Sequence, residues 1–180
     1  MKKLLSALFI IAISIFSNAQ IIIGDAVGTS TVKTSVLLDF APNQNKGIII
    51  PYVRSLPSNP TEGTLVLDAS DVTKARVKYY NGTWVDLSAR DTDVTNILST
   101  QPTTIQVNEA EGEKIIIGAA STTANGVVVL ESTTKAMILP IVSDVQNIAS
   151  PSPGMMVYVN KAGAKRLAVF NGSSWAFWKP

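Results

Sequence analysis

The tetrapeptide Ser132-Thr133-Thr134-Lys135 matches the spacing S-x-x-K. In penicillin-recognising enzymes this spacing places a serine nucleophile beside a lysine base, but the companion motifs S-D-N and K-T-G are missing from this chain. The tetrapeptide also falls in a turn before an aliphatic segment, a position that the internal repeat described below explains. We therefore expect no catalysis at Ser132.

The sequence contains no histidine and no cysteine. Histidine is the commonest general base and metal ligand near neutral pH, so Ser-His-Asp, Cys-His and His-based metal chemistry are excluded within one chain. The lack of cysteine excludes disulfides, thiolate metal sites and a lipid-modified cysteine. We expect a protein that is not an enzyme and that binds no cofactor and no metal.

Acidic residues form small groups that could offer oxygen ligands to calcium. Calcium takes about 6 to 8 such ligands, and the usual D-x-D-x-D-G loop is absent. Solvated acids in turns, which keep strand edges from pairing with other chains, are the preferred interpretation. A carboxylate enzyme is a weaker alternative. The groups are Asp68 with Asp71, Asp91 with Asp93, and Glu109 with Glu111 and Glu113.

Aromatic residues recur in two similar segments, "YYNGTW" at Tyr79–Trp84 and "VFNGSSW" at Val169–Trp175. Exposed rings can stack on sugars, and we take Tyr79 and Trp178 as candidate glycan contacts. The remaining rings are predicted to pack in the core, because small β modules have few apolar residues to leave outside. These core rings are Tyr80, Trp84, Phe170 and Trp175.

The two segments recur because the chain contains one pattern twice, and such self-similarity sets the domain organisation. We predict a signal peptide at 1–19, a repeat one at 20–88, a connector at 89–114 and a repeat two at 115–180. Equivalent residues keep nearly constant spacing. They are Gly24 and Gly118, Leu38 and Leu130, Pro51 and Pro140, Gly63 and Gly154, Tyr80 and Phe170, Asn81 and Asn171, Gly82 and Gly172, and Trp84 and Trp175.

Each repeat is typical of a series of short β-strands separated by Gly, Pro, Asn and Ser. The predicted fold is mainly β, with two tandem β-rich repeats built from short antiparallel hairpins and intertwined in a homo-oligomer. The Asn-Gly pairs predict type I′ turns. The connector is expected to hold one strand, Thr104–Val107. The other predicted strands are Ile48–Ile50, Thr64–Leu67, Arg76–Tyr80, Met155–Val159 and Arg166–Phe170.

The N-terminus has the plan of a secretory signal peptide. Lys2 and Lys3 precede the apolar run Leu4–Phe16, and small residues follow, so the mature chain is expected to begin at Gln20. The run is shorter than the roughly 20 apolar residues that span a bilayer. We predict export to the cell surface, the exterior or the periplasm, with no stable membrane span after cleavage. Basic residues are scattered, so no nucleic-acid partner is expected.

The order of motifs in both copies resembles a repeat of phage tail-fibre-like and secreted surface proteins of Gram-negative bacteria. The matching words are "KGIIIPYVRSLPSNPTEGTLVLDAS" with "VKYYNGTW", and "KAMILPIVSDVQNIASPSPGMMVYVN" with "LAVFNGSSW". The chain departs from the family pattern at Ala136, where glycine is usual, and at Pro51 and Pro140, where two prolines are frequent. The resemblance implies a β-rich fibre or adhesin element, often trimeric.

These observations predict an exported structural or adhesive protein that mediates assembly or surface attachment. Each repeat of about 70 residues buries a modest core, so docking of the repeats or self-association is expected to stabilise it. A surface glycan or a cell-envelope component is the expected partner. The alternative is a carbohydrate-binding module that uses exposed aromatic rings.

Overall fold

The computed structural model describes residues 21–99 and 114–178. The predicted signal peptide and the predicted strand Thr104–Val107 lie outside these residues. The fold is mainly β, as predicted. Within the described ranges, no helix is long and apolar enough to cross a membrane.

Seven strands lie in each repeat, counted over the described residues. Repeat one contains β1 (Ile21–Ile23), β2 (Val36–Phe40), β3 (Ile48–Ile49), β4 (Tyr52–Val53), β5 (Leu65–Asp68), β6 (Arg76–Tyr80) and β7 (Trp84–Asp86). Repeat two contains β8 (Ile115–Ile117), β9 (Val128–Leu130), β10 (Ala136–Met137), β11 (Ile141–Val142), β12 (Met155–Val159), β13 (Arg166–Phe170) and β14 (Trp175–Trp178). The helical segments are α1 (Thr95–Leu98) and a 3₁₀ turn (Val145–Asn147). Strands β6, β12 and β13 have the predicted bounds.

Each repeat forms the same hairpin sheet, in the order β4-β5-β6-β7 in repeat one and β11-β12-β13-β14 in repeat two. The last three strands of each sheet pair antiparallel, as the hairpin prediction requires. The first strand of each joins in parallel. The equivalent prolines act alike, since the carbonyls of Pro51 and Pro140 accept bonds of 2.8 and 2.9 Å from the N–H groups of Leu67 and Tyr158.

Equivalent glycines close both sheets in the same way. Gly63 and Gly154 adopt positive φ angles of 89° and 73°, a region that glycine enters without steric cost. Their N–H groups donate to the carbonyls of Tyr80 and Phe170, at 2.8 Å in both repeats. The two copies therefore share backbone geometry as well as sequence.

Before each hairpin sheet, the chain forms an arm of two parallel strands. We call β1 and β2 the first arm and β8 and β9 the second arm; their strands pair in parallel. Parallel neighbours need a crossover longer than a hairpin turn, and the segment between the two strands provides it with 12 residues in the first arm and 10 in the second. The arms add parallel pairing to the antiparallel hairpins that the sequence predicted.

The two repeats exchange short strands. Strand β3 of repeat one pairs antiparallel with β12 of repeat two, and β10 of repeat two pairs in parallel with β2 of repeat one. The Tyr52 hydroxyl also donates to the Pro153 carbonyl at 2.6 Å. Repeat one is therefore completed by backbone groups of repeat two, and repeat two by those of repeat one.

The hydrophobic core spans both repeats. One buried cluster joins residues of repeat one to Met156 and Val169 of repeat two, and also includes Val94 and Leu98 of the predicted connector. A second cluster lies within repeat two, where it includes Val142 and residues of β12 and β13. The repeats therefore pack on each other, and the first part of the connector packs with them. The remaining members of the shared cluster are Ile50, Leu67, Ala69, Ala75 and Val77.

Candidate functional site

A tilted pair of aromatic rings lies at the tip of each hairpin sheet. The ring centroids of Tyr80 and Trp84 are 5.3 Å apart, and those of Phe170 and Trp175 are 5.1 Å apart. All four side chains are half-buried, and the Phe170 and Trp175 rings pack against the second core cluster. Tilted contacts at this separation stabilise aromatic pairs beyond their buried area, so the rings close each hairpin tip.

The turns beneath these rings differ from the predicted type I′ geometry. Their loops hold three residues in repeat one and four in repeat two, whereas a type I′ turn joins strands across two residues with positive φ angles. Gly82 and Gly172 have φ angles of 90° and 118°, but Asn81 and Asn171 are not among the positive-φ residues of the described chain. The type I′ prediction is therefore wrong.

Asn171 instead acts through its side chain. It is fully buried, and its Oδ1 accepts bonds of 2.9 Å from the N–H groups of Ser173 and Ser174. Its Nδ2 donates to the carbonyl of Arg90 at 2.9 Å. Asparagine side chains commonly replace backbone bonds in turns in this manner. Here the same side chain also ties the tip of repeat two to the predicted connector.

The candidate glycan contacts lie in different sheets. Tyr79 is half-buried in β6, and its hydroxyl has a 3.5 Å contact from Nδ2 of the exposed Asn81. Trp178, at the end of β14, is 46 % exposed, and its indole N–H donates to the Leu87 carbonyl at 2.8 Å. The Trp178 ring therefore has an exposed part and a bond that joins the two repeats.

A row of paired charges lies on one face of the repeat-one hairpin sheet. Lys78 Nζ and Asp68 Oδ2 are 2.7 Å apart. The Arg76 guanidinium bridges Asp86 and Asp91, with a distance of 2.6 Å to each carboxylate. These ion pairs fix the side chains across β5, β6 and β7.

The charged face retains ionised carboxylates. Burial acts to raise the pKa of Asp68, but hydrogen bonds from Lys78 and Ser70 outweigh it and hold the pKa below its ordinary value of 3.8. Burial likewise opposes the bonds from Ser88 that lower the pKa of Asp86. The pKa of Arg76 is raised by its bonds to carboxylates. Asp68, Asp86 and Arg76 therefore stay charged at neutral pH.

The paired charges line an open groove of about 520 Å³, which the Trp84 side chain also lines. The equivalent face of repeat two is different. Ala168 is opposite Phe177 and Val159 is opposite Arg166 in that sheet, and the Arg166 guanidinium lies 4.0 Å from the Phe177 ring centroid. The same backbone thus carries charge pairs in one copy and an apolar face with a cation–π contact in the other.

The predicted acids Asp68, Asp71 and Asp93 serve local structure, whereas Glu109, Glu111 and Glu113 lie outside the described residues. Asp68 lies in β5 and not in a turn, because its alternation places it opposite Arg76 in the ladder. Asp71 accepts from the N–H and hydroxyl of Thr73, and Asp93 accepts from the N–H of Thr95. Across residues 21–99 and 114–178, no group of three or more potential ligands could hold a metal ion.

The S-x-x-K serine is engaged with its own turn. Ser132 Oγ accepts from the N–H groups of Thr134 and Lys135 at 3.2 and 2.9 Å. Hydroxyls of serine often stabilise turns through such local bonds. The tetrapeptide therefore has a structural role before β10.

Sequence reasoning missed a buried acid in the first arm. The Asp39 side chain is fully buried and lies 2.9 Å from Lys33 Nζ, and it accepts from the N–H of Ser30 at 3.0 Å. Burial acts to raise its pKa, but these bonds outweigh burial and lower it. Glu131 is the equivalent residue of repeat two, because it follows Leu130 as Asp39 follows Leu38. The Glu131 carboxylate accepts a hydrogen bond from the Thr122 hydroxyl. The presence of an acidic residue at this equivalent position in both repeats is the sequence signal that could have identified Asp39.

This fold and these surfaces define a β-rich protein whose two repeats exchange strands and share a core. The family described as the phage tail like trimerisation region matches residues 26–107 and again residues 116–179. Because these two spans cover most of the chain, it belongs to this family. Membership gives it a structural, assembly-related role and supports self-association as a trimer. No curated protein and no solved structure matches the chain.

Proposed function

We propose that this protein is exported, assembles as a trimer and attaches that assembly to a partner on a cell surface. The match of the trimerisation family to both repeats is the observation that carries the proposal. The shared core and the exchanged strands favour one rigid block per chain, which suits a structural element. The charged groove of repeat one offers a polar surface for attachment to a glycan or an envelope component.

The proposal also holds that the protein has no catalytic activity. The chain lacks histidine and cysteine, which removes the side chains that most often act as base or nucleophile near neutral pH. The charged groups of the groove are committed to ion pairs. The turn bonds of Ser132 give the S-x-x-K motif a structural explanation.

Sedimentation equilibrium of the chain from Gln20 tests the assembly. We expect the mass of three chains at micromolar concentration, and a stable monomer at that concentration would contradict the proposal. Export is tested separately by mass spectrometry of the protein made with residues 1–19 in place. A product beginning at Gln20 outside the cytoplasm is expected, and an unprocessed cytoplasmic chain would refute export.

A carbohydrate-binding function is the second candidate. The observation that favours it is the exposed ring of Trp178, at 46 % exposure. An exposed indole offers a flat apolar face to the C–H groups of a sugar ring. In this function Trp178 would supply the main stacking surface and Tyr79 a lesser one.

Glycan arrays followed by calorimetry test this candidate with three variants. Trp178→Ala should weaken binding at least about tenfold, whereas Trp178→Phe should keep most of it, because a ring remains although the bond to Leu87 is lost. Phe177→Ala is the matched control, since Phe177 is similarly exposed but lies on the opposite face of β14, where Arg166 lies over one side of its ring. Native protein that binds no glycan would remove the candidate, as would equal losses in all three variants.

A further inference from the structure

The two arms are covered to very different extents. In the first arm, β2 is paired on both edges, by β1 and by β10. In the second arm, β9 is paired by β8 alone among the residues that the structure describes. Val36 and Val128 begin these equivalent strands, yet Val36 is 3 % exposed and Val128 is 54 % exposed. The first arm thus has a central strand paired on both edges, although Ile21 and Ile23 of β1 stay 42 % and 48 % exposed, whereas β9 keeps one edge open among the described residues.

The uncovered surface of the second arm is apolar. Ile115 lies opposite Val128 in the parallel ladder and is 60 % exposed, and the adjacent Val127 is 58 % exposed. Parallel strands are normally covered on both faces, and a pair of strands alone is marginal in water. An arm with this sequence therefore needs a cover that the described part of the chain does not supply.

The end of β8 already meets repeat one. A Cβ built on Gly118, at the end of β8, would lie only 3.0 Å from Leu37 Cδ1 in β2. The covering strand of the first arm, β10, comes from the other repeat. Its counterpart in repeat one, β3, is already paired with β12, so residues 21–99 and 114–178 hold no such strand left for β9.

We propose that the open side of the second arm, formed by Ile115, Val127 and Val128, is covered by a second copy of the chain. The inference rests on the proposed trimer and names one of its contact surfaces. The second span matched by the trimerisation family begins at residue 116, within β8. An uncharged isoleucine and valine surface fits a permanent contact between identical chains, since such interfaces are more apolar than transient ones. Strand addition at an open edge is a common way to form such a contact.

Charge placed on this surface tests the inference. Val128→Lys should weaken the trimer, because a lysine buried in the contact would be unpaired. The protein concentration below which the trimer dissociates should rise at least about tenfold relative to the native chain. In a single chain the position is half exposed, so the fold should survive, as far-ultraviolet circular dichroism would show. Val128→Thr keeps the branched shape and should give a smaller shift in the same direction.

Val32→Lys is the matched control, because Val32 is 65 % exposed but lies in the crossover loop of the first arm. It should leave the trimer unchanged in sedimentation equilibrium. If the native chain and Val128→Lys form trimers of equal stability, this inference is overturned and the proposed function stays intact. The same conclusion would follow if Val128→Lys lowered only the melting temperature, since the cover would then belong to the same chain. A native chain that stays monomeric would overturn the proposed function and the inference together.

Discussion

Asn171 and Asn81 occupy the same turn position in the two repeats, yet they should respond differently to substitution. Asn171→Ala removes three hydrogen bonds of 2.9 Å, to two turn N–H groups and to the Arg90 carbonyl. The side chain is fully buried, so water cannot readily replace these partners. Asn81 is exposed, and its side chain has only the 3.5 Å contact with Tyr79. Comparing the two substitutions therefore tests, within one molecule, whether the buried hydrogen bonds of Asn171 stabilise the fold.

The expected magnitude follows from the number of bonds lost. A hydrogen bond contributes about 0.5 to 1.5 kcal/mol net, and more when its partner is left buried, so Asn171→Ala should lower the free energy of unfolding by about 2 to 4 kcal/mol. For a chain of this length, that loss corresponds to a fall in melting temperature of about 4 to 16 °C. Asn81→Ala should stay within about 0.5 kcal/mol of the native protein, as exposed substitutions usually do.

Urea denaturation and thermal scans of the two variants, at one fixed protein concentration, measure both quantities. The concentration must be matched because self-association raises apparent stability. Equal losses in Asn81→Ala and Asn171→Ala would refute the reasoning, since the two turns would then depend on asparagine in the same way. A loss in Asn171→Ala below about 0.5 kcal/mol would refute the assigned bonds.

Two further perturbations concern charge and backbone. Asp39 and Asp68 have pKa values below 3.8 in the folded chain, so their contribution is full above that pH and is lost as the pH falls through the lower folded values. The free energy of unfolding should therefore decline in acid, and Asp68→Asn should flatten that decline in urea titrations between about pH 5 and 2. Gly118→Ala should destabilise the chain at least twice as much as Gly163→Ala, measured by melting temperature. Both glycines have positive φ, but a Cβ at Gly118 meets the carbonyl of Glu131, whereas Gly163 faces open space; equal losses would contradict the packing described for the second arm.

The features that could be predicted from the sequence are those that depend on local pattern. Strands β6, β12 and β13 were predicted at their bounds, because alternation and flanking turn residues define a strand without reference to its partner. The repeated Asn-Gly pairs identified the loops correctly, but not the turn type, which depends on loop length. The environment of Asn171, and not its sequence, gives this residue its additional bond to Arg90.

The features that could not be predicted depend on partners distant in the chain. The sequence predicts a strand at β3 and an aliphatic segment at β10, but no local signal indicates that each pairs with the other repeat. The charge row was similarly hidden, because Asp68 was assigned to a turn when it lies in β5 and faces Lys78. The connector prediction did not anticipate that Val94 and Leu98 would join the shared core.

The exchange of strands between the repeats also affects how the chain reaches its fold. Leu38 of β2 pairs with Met137 of β10, about a hundred residues further along, and such distant pairing slows folding because a long loop must close first. During synthesis, repeat one must leave an open strand edge until repeat two has been made. The first repeat therefore cannot complete its sheet alone, and its folding is completed only after the second repeat has been synthesised.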